Sequence, residues 1–364
     1  MKKRLALITL HSVKNYGSIL QTYATQCYFE QLGYDVEVID YRRKWETPIG
    51  YWTHLNDKSL KGLVKNIILF PSKIFQAIRF NKFLHKNIKL SSNLYINKED
   101  LIKNPINADV FCTGSDQVWN SGWNNGVIEE YFLNFVKKDK NTKKISFASS
   151  FGASTLTKND KTIIKPYLEE YDLITVREKN SVNMLKNELN INSLEILDPT
   201  LQLNGDFWKK MIKDRKKYKG EYILLIQLNR NSNFDEIAMK FAKEKKLKLL
   251  RLCLRVDQIR LPGKHIVIPE VVDYITLINN AKYVLTDSFH AVAFSLNLNK
   301  DFYCYFPEKY SERLKSILEL TNLENRVFDF NGNYKDYKID FCEVNKLIDK
   351  KRKDAREHIE RILN

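Results

Sequence analysis

Tyr283-Val-Leu-Thr-Asp-Ser-Phe-His-Ala-Val-Ala-Phe-Ser295 is the stretch on which the reading of this chain turns. Tyr283 to Thr286 is a short apolar run ending in a β-branched residue, the pattern of a strand buried in a sheet. Asp287 and Ser288 are residue types that cap helices, because their side-chain oxygens accept the free amides of the first turn. Ala291 to Leu296 continues as a helix with small residues for close packing. His290 is thereby expected at a strand-to-helix turn, by the mouth of a parallel sheet. Open α/β sheets bind ligands at the carboxyl ends of their strands, and helix N-termini favour anions. A purely structural reading stands beside this one: two caps and a histidine that fills a gap.

The same grammar recurs along the chain. Leu5 to Leu10 reads as a first buried strand, and His11 to Ser18 as a polar loop. Ile19 to Leu32 has helical spacing and ends at Gly33, and Val36 to Tyr41 is a second strand. Asn15, Tyr16, Gly17 and Ser18 therefore sit at a helix N-terminus. That is a place for a phosphate or a sugar, although no complete GxGxxG is present. Ala108 to Thr113 leads into Gly114-Ser-Asp-Gln-Val-Trp-Asn120, where Asp116 and Gln117 suit sugar hydroxyls and Trp119 suits stacking on a ring. Lys144 to Ser149, Leu173 to Val176 (followed by Arg177) and Leu194 to Leu197 (followed by Asp198) are further strands with polar ends. A second set of strands follows from Tyr222, with Lys248 to Leu254, Ile266 to Ile268 and Phe302 to Tyr305.

Two stretches interrupt the pattern. Arg42 to Leu90 is basic and aromatic, and Leu60 to Phe83 interleaves apolar residues with Lys and Arg. Pro71 is expected to split it into two helices, because proline lacks the amide that continues a helix. Such a stretch either packs its apolar face on the domain or lies on an anionic membrane. Asp198 to Phe207 reads as a hinge, and Val344 to Leu363 as a charged amphipathic helix. The expected division is residues 1–204, a Rossmann-like acceptor-side domain with a helical insertion at 42–90; residues 205–340, a Rossmann-like donor-side domain; and residues 341–364, a C-terminal helix packing back. The fold class is α/β, two Rossmann-like domains facing a cleft, in the GT-B manner.

Composition narrows the partners. The 364 residues carry 60 Lys and Arg against 44 Asp and Glu, a formal charge of +16, which favours anionic partners without choosing among them. With 12 Gly and 8 Pro the chain is not of low complexity. The five cysteines form no CxxC, are odd in number and mostly have apolar neighbours, so they read as reduced core residues of a cytoplasmic protein. Cys and His do not cluster at ligand spacing, so no metal site is expected. The apolar run near Met1 is too short for a signal peptide, and no segment of about 20 apolar residues is available to span a bilayer.

Taken in order, Asn15-Tyr-Gly-Ser-Ile-Leu-Gln21, Gly114-Ser-Asp-Gln-Val-Trp-Asn120, Ser146-Phe-Ala-Ser-Ser-Phe-Gly152, Val176-Arg-Glu178, Asp198-Pro-Thr200 and Thr286-Asp-Ser-Phe-His290 resemble the polysaccharide pyruvyl transferase family. The resemblance runs from about residue 5 to 330. It implies a GT-B-like fold and transfer of a pyruvyl group from phosphoenolpyruvate to a sugar of a cell-surface polysaccharide or its lipid-linked precursor, giving a pyruvate ketal. No cofactor is implied; phosphoenolpyruvate is the donor substrate. On that resemblance His290 is the general acid or phosphate partner, and Arg177 binds the donor carboxylate or phosphate. Ser288, with Asp287 and the amides that follow, completes the anion site, and Arg313 is a second cation. Asn15, Tyr16, Gly17, Ser18, Asp116, Gln117 and Ser149 line the acceptor side. The chain departs from the family pattern at Ser288-Phe-His290, where Arg-Leu-His is usual; a serine supplies no bidentate guanidinium.

Two other functions remain open on the residues alone. One is a glycosyltransferase using a nucleotide sugar on the same architecture, with Gln227 to Arg230 and Glu270 as nucleotide contacts. The other is a glycan- or nucleic-acid-binding protein without catalysis, motivated by the positive charge; against nucleic acid, the sequence shows no recognition motif and no aromatic stacking platform. The expected location is the cytoplasm, with peripheral association at the inner face of an anionic membrane through the basic stretch.

Overall fold

The computed structural model describes residues 2–53, 59–153, 155–213, 215, 217–306 and 312–363. The chain divides into two compact units. The first comprises Met1–Thr53, Leu84–Gln202 and Asp349–Asn364; the second comprises His54–Phe83 and Leu203–Ile348. The described part of 54–83, expected as an insertion of the first half, thus groups with the second. The last helix, Phe341–Leu363, is shared between the two.

The first unit is built on strands β1 (Arg4–Ile8), β2 (Asp35–Tyr41), β3 (Leu90–Tyr95), β4 (Val110–Thr113) and β5 (Lys143–Ser146), in the order β3-β2-β1-β4-β5. All pairs are parallel. Two short strands, β6 (Thr175–Val176) and β7 (Leu194–Glu195), pair beside them, and the bridge Ile145↔Leu173 joins this pair to the edge of the sheet. A parallel strand covered on both faces must be apolar throughout, which is why Leu5, Ala6, Leu7 and Ile8 are all buried. Edge strand β3, Leu-Ser-Ser-Asn-Leu-Tyr, is polar and partly exposed; no apolar run announced it.

Helix α1 (Tyr16–Gln31) follows β1 and begins three residues earlier than its apolar spacing predicts. Asn15 explains this: its Oδ1 accepts the amides of Gly17 at 2.8 Å and Ser18 at 3.3 Å. The helix closes at Gly33, whose φ of +92° is the left-handed conformation a C-terminal cap requires. Gly114, at the end of β4, is needed for a different reason. A Cβ there would lie 2.8 Å from the Cβ of Thr9, just past the end of the neighbouring strand β1.

The second unit repeats the topology with β8 (Tyr222–Ile226), β9 (Lys248–Cys253), β10 (Lys264–Val267), β11 (Tyr283–Thr286) and β12 (Asp301–Cys304), ordered β10-β9-β8-β11-β12 and again all parallel. In both units the central strand is the first in sequence, and the order reverses beside it. That arrangement makes each a Rossmann-like sheet, although no sequence repeat relates the two. Trp208 of the helix Gly205–Ile212 is buried edge-on against Phe294, with centroids 4.9 Å apart.

Helix α2 (Leu60–Asn87) is continuous through Pro71, contrary to the expected split. Proline removes one hydrogen bond, to the carbonyl four residues back. That residue, Ile67, is 73% exposed, so water can satisfy the freed carbonyl and the helix continues. No helix among the described residues is long and apolar enough to cross a membrane.

Candidate functional site

Each sheet has a switch point, where connections leave the central strands in opposite directions and the loops part to leave a crevice. In the first unit it lies between β1 and β4, and in the second between β8 and β11. Asn15 to Ser18, Asp116 and Gln117 lie at the first, and Asp287, Ser288 and His290 at the second.

At the first switch point, the start of α1 meets the loop after β4. Ser18 Oγ donates to Asp116 Oδ2 at 2.5 Å, joining residues 98 apart in sequence. Asp116 has φ of +71°, an uncommon conformation for a non-glycine residue. Its backbone is tied down by the amide of Ser150, which donates to the Asp116 carbonyl at 3.0 Å. Strain of this kind persists where surrounding contacts over-determine it. Gln117 is half-buried and accepts from the Asn120 side chain. Tyr16 and Gly17 are buried in the first turn of α1.

Arg177 lies behind Asp116. Its guanidinium donates to Asp198 Oδ2 at 3.0 Å and to Glu178 Oε1 at 3.0 Å, and stands 3.9 Å from Asp116 Oδ1. Burial lowers its pKa, but Glu178, Asp198 and Asp116 raise it by more, so the net shift is upward. This side chain is engaged by carboxylates of the protein rather than turned outward to a donor. Ser115 and Ser150 donate to the same carboxylates, at 3.2 and 2.7 Å. One cation among three carboxylates leaves the cluster net anionic, which suits hydroxyl groups better than a phosphate. Ser149 is fully buried, its hydroxyl directed to the carbonyls of Thr113 and Gly114 at 3.2 and 2.9 Å; it holds the strand ends together. Trp119, read as a platform for a sugar ring, is a core residue. It stacks on Phe132 at 5.2 Å and donates its indole N–H to the Tyr131 carbonyl at 2.9 Å.

The same edge holds groups that the sequence reading passed over. His11 Nε2 lies 2.8 Å from Asp40 Oδ1, and Arg42 Nε donates to that oxygen at 2.6 Å. Burial raises the Asp40 pKa, but the hydrogen bonds from His11 and Arg42 outweigh it and hold the carboxyl at about 2. Lys14 has its pKa lowered to about 8, by burial first and then by the charge of Arg42. The signal was available: His11 follows the first strand and Asp40 lies at the end of the second, as ligand-binding residues of such sheets do.

At the second switch point, Thr286 ends β11. Its hydroxyl donates to the Ile226 carbonyl at 2.7 Å and accepts the Ser288 amide at 2.9 Å. Asp287 does not cap the helix that follows it. Its carboxylate accepts the amides of Leu228 at 2.7 Å and Asn229 at 2.8 Å, and so fastens the loop after β8. Burial pushes its pKa up against those donors, with a net upward shift. Ser288 occupies the N-cap position of helix α3 (Phe289–Asn297) with extended backbone and no side-chain cap bond. Its hydroxyl interacts instead with Tyr274. His290 is in the first turn of α3 and buried, its ring edge-on to Phe289 at 5.3 Å. Arg313 lies in the first turn of a separate helix, Glu312–Leu320, and is half-buried. Of the suggested nucleotide contacts, Gln227 accepts from Arg251 at 2.9 Å, and Glu270 pairs with Lys82 at 3.0 Å and Arg215 at 3.3 Å. Among the described residues no group of three or more His, Cys, Asp or Glu is placed to hold a metal ion.

Two parallel α/β units with polar switch points define a two-domain Rossmann-like fold. A family model for polysaccharide pyruvyl transferases matches residues 15–305, which spans both units. The chain belongs to the polysaccharide pyruvyl transferase family, and it is a transferase. Among curated proteins none matches it significantly. Similar solved structures include the UDP co-structure of MnaA from S. aureus, with 13% identity and a TM-score of 0.48, covering 100% of this chain and 90% of that one. A UDP-GlcNAc 2-epimerase from Methanocaldococcus jannaschii, in complex with UDP-GlcNAc and UDP, has 13% identity and a TM-score of 0.46, covering 96% and 99%. AviGT4, a glycosyltransferase involved in avilamycin A biosynthesis, has 10% identity and a TM-score of 0.45, covering 99% and 98%.

Proposed function

We propose that this transferase moves a pyruvyl group from phosphoenolpyruvate to a sugar of a cell-surface polysaccharide or its lipid-linked precursor. The observation that carries the reading is the family match across both Rossmann-like units. The chemistry fits the groups at hand. Ketal formation begins with a proton delivered to the methylene carbon of the enol phosphate, which becomes the methyl group. A sugar hydroxyl attacks the central carbon and loses its proton. Phosphate leaves, and a second hydroxyl closes the ring and loses its own proton. His290 is the proton donor to carbon, since a histidine exchanges protons near neutral pH. The first-turn amides of α3, with Ser288, hold the donor's anionic groups, as helix N-termini do. In the first unit, Asn15 to Ser18, Asp116 and Gln117 bind acceptor hydroxyls. Arg177 and Ser149 act as positioning residues there, through Asp116 and the strand ends.

The test is ligand-dependent thermal stabilisation with phosphoenolpyruvate, nucleotides and nucleotide sugars, followed by acceptor-dependent phosphate release. A ligand bound only by the native state raises the melting temperature by mass action. A shift with phosphoenolpyruvate is expected, and His290→Gln should lower turnover about 100- to 10,000-fold with little change in melting temperature. A shift confined to nucleotide sugars would overturn the reading in favour of glycosyl transfer.

A further inference from the structure

Helix α2 has two apolar faces, one packed on the protein and one largely exposed. On the packed face, Ser72 Oγ accepts the Val256 amide and Gln76 donates to the Leu254 carbonyl, both at 2.9 Å, while Phe80 and Phe83 are buried. Opposite lie Ile67, Ile68, Phe70, Ile74, Phe75 and Ile78, from 38% to 73% exposed. Spacings of three and four residues place these side chains in one stripe along the helix. At about 1.5 Å of rise per residue the stripe is roughly 15–20 Å long, a larger contiguous apolar surface than solvent exposure normally tolerates.

Charge decides what covers it. Between Leu60 and Asn87 the helix sequence carries six Lys and Arg, Lys73 and Arg79 among the exposed stripe, and no Asp or Glu. Two copies joined through this face would bring like charges together. An anionic bilayer offers the complementary sign, takes up the apolar stripe at its acyl boundary and leaves the cations at headgroup level. We propose that the exposed stripe of α2, Ile67 to Ile78 with its flanking Lys and Arg, is a docking surface for an anionic lipid bilayer. The helix lies in the interface and does not span it; its other face stays on the protein. This inference does not depend on the identity of the donor substrate.

Vesicle co-sedimentation of the full chain tests it, using phosphatidylcholine alone and phosphatidylcholine with about a third phosphatidylglycerol. Binding is expected only to the anionic vesicles and should fall as salt rises from about 0.05 to about 0.5 M. The triple variant Ile67→Ser, Ile74→Ser, Ile78→Ser should bind on the order of a hundredfold more weakly with an unchanged melting temperature, since it alters exposed side chains. Lys73→Gln with Arg79→Gln should weaken binding roughly tenfold. Absence of binding to anionic vesicles at low salt overturns the proposal, as does full binding by the triple variant. A self-association in analytical ultracentrifugation that the triple variant abolishes, without vesicle binding, would assign the face to a second copy and overturn it equally.

Discussion

Replacing Arg177 by Leu tests the assignment of this residue to the protein's own framework. The guanidinium is buried, 3.0 Å from a carboxylate oxygen of both Asp198 and Glu178 and 3.9 Å from Asp116. Without it three carboxylates share a site that water barely reaches. Breaking a buried ion pair from one side costs about 3–5 kcal/mol, because the remaining charge is left uncompensated. A unit of 150–250 residues loses about 2–4 °C per kcal/mol, so the melting temperature should fall by roughly 6–20 °C. The deficit should shrink in acid. Protonation in acid removes the repulsion among the stranded carboxylates, and with it part of the penalty. Calorimetry at neutral and acidic pH reads both effects, and a phosphoenolpyruvate titration of the same variant reads donor binding. A melting temperature within about 2 °C of wild type, with selective loss of donor binding, would refute the reasoning and return Arg177 to the donor.

Three further outcomes follow from the geometry. Asp40, held at about 2 against an ordinary 3.8, contributes about 2 kcal/mol above its unfolded pKa, and that contribution is lost as pH falls towards 2; in urea titrations the wild-type advantage over Asp40→Asn should therefore shrink in acid. Asp287 has the opposite sign: its folded pKa is raised, so its contribution is complete at low pH and is lost as pH rises through that value. Wild type should gain on Asp287→Asn as the solution is acidified, and Asp287→Ala, which strands the Leu228 and Asn229 amides, should cost about 1–3 kcal/mol in acid, where the wild-type contribution is complete. Gly114→Ala would press a methyl group to 2.8 Å from Thr9 and should cost about 1–3 kcal/mol. Gly122→Ala, with its nearest neighbour at 3.4 Å, is the control that should melt close to wild type.

The class of elements and their punctuation could be read from the residues alone. β1, β8 and β11 were legible because a strand buried on both faces is apolar without interruption, whatever lies beside it. The polar residues at their ends were legible because capping and turn chemistry is local, so Asn15 and His290 could be placed before any packing was known. Strand order, and with it the two switch points that collect the candidate site, came only from the tertiary structure. So did every partner that is distant along the chain: Ser18 for Asp116, Asp198 for Arg177, Leu228 and Asn229 for Asp287, Phe132 for Trp119. Asp287 shows the reason. A carboxylate before a helix is a good cap on local grounds, but here two amides of another loop were nearer and better aimed. Likewise the apolar residues of α2 have helical spacing whichever face is packed, and only the fold decides which of its two faces is left to the solvent.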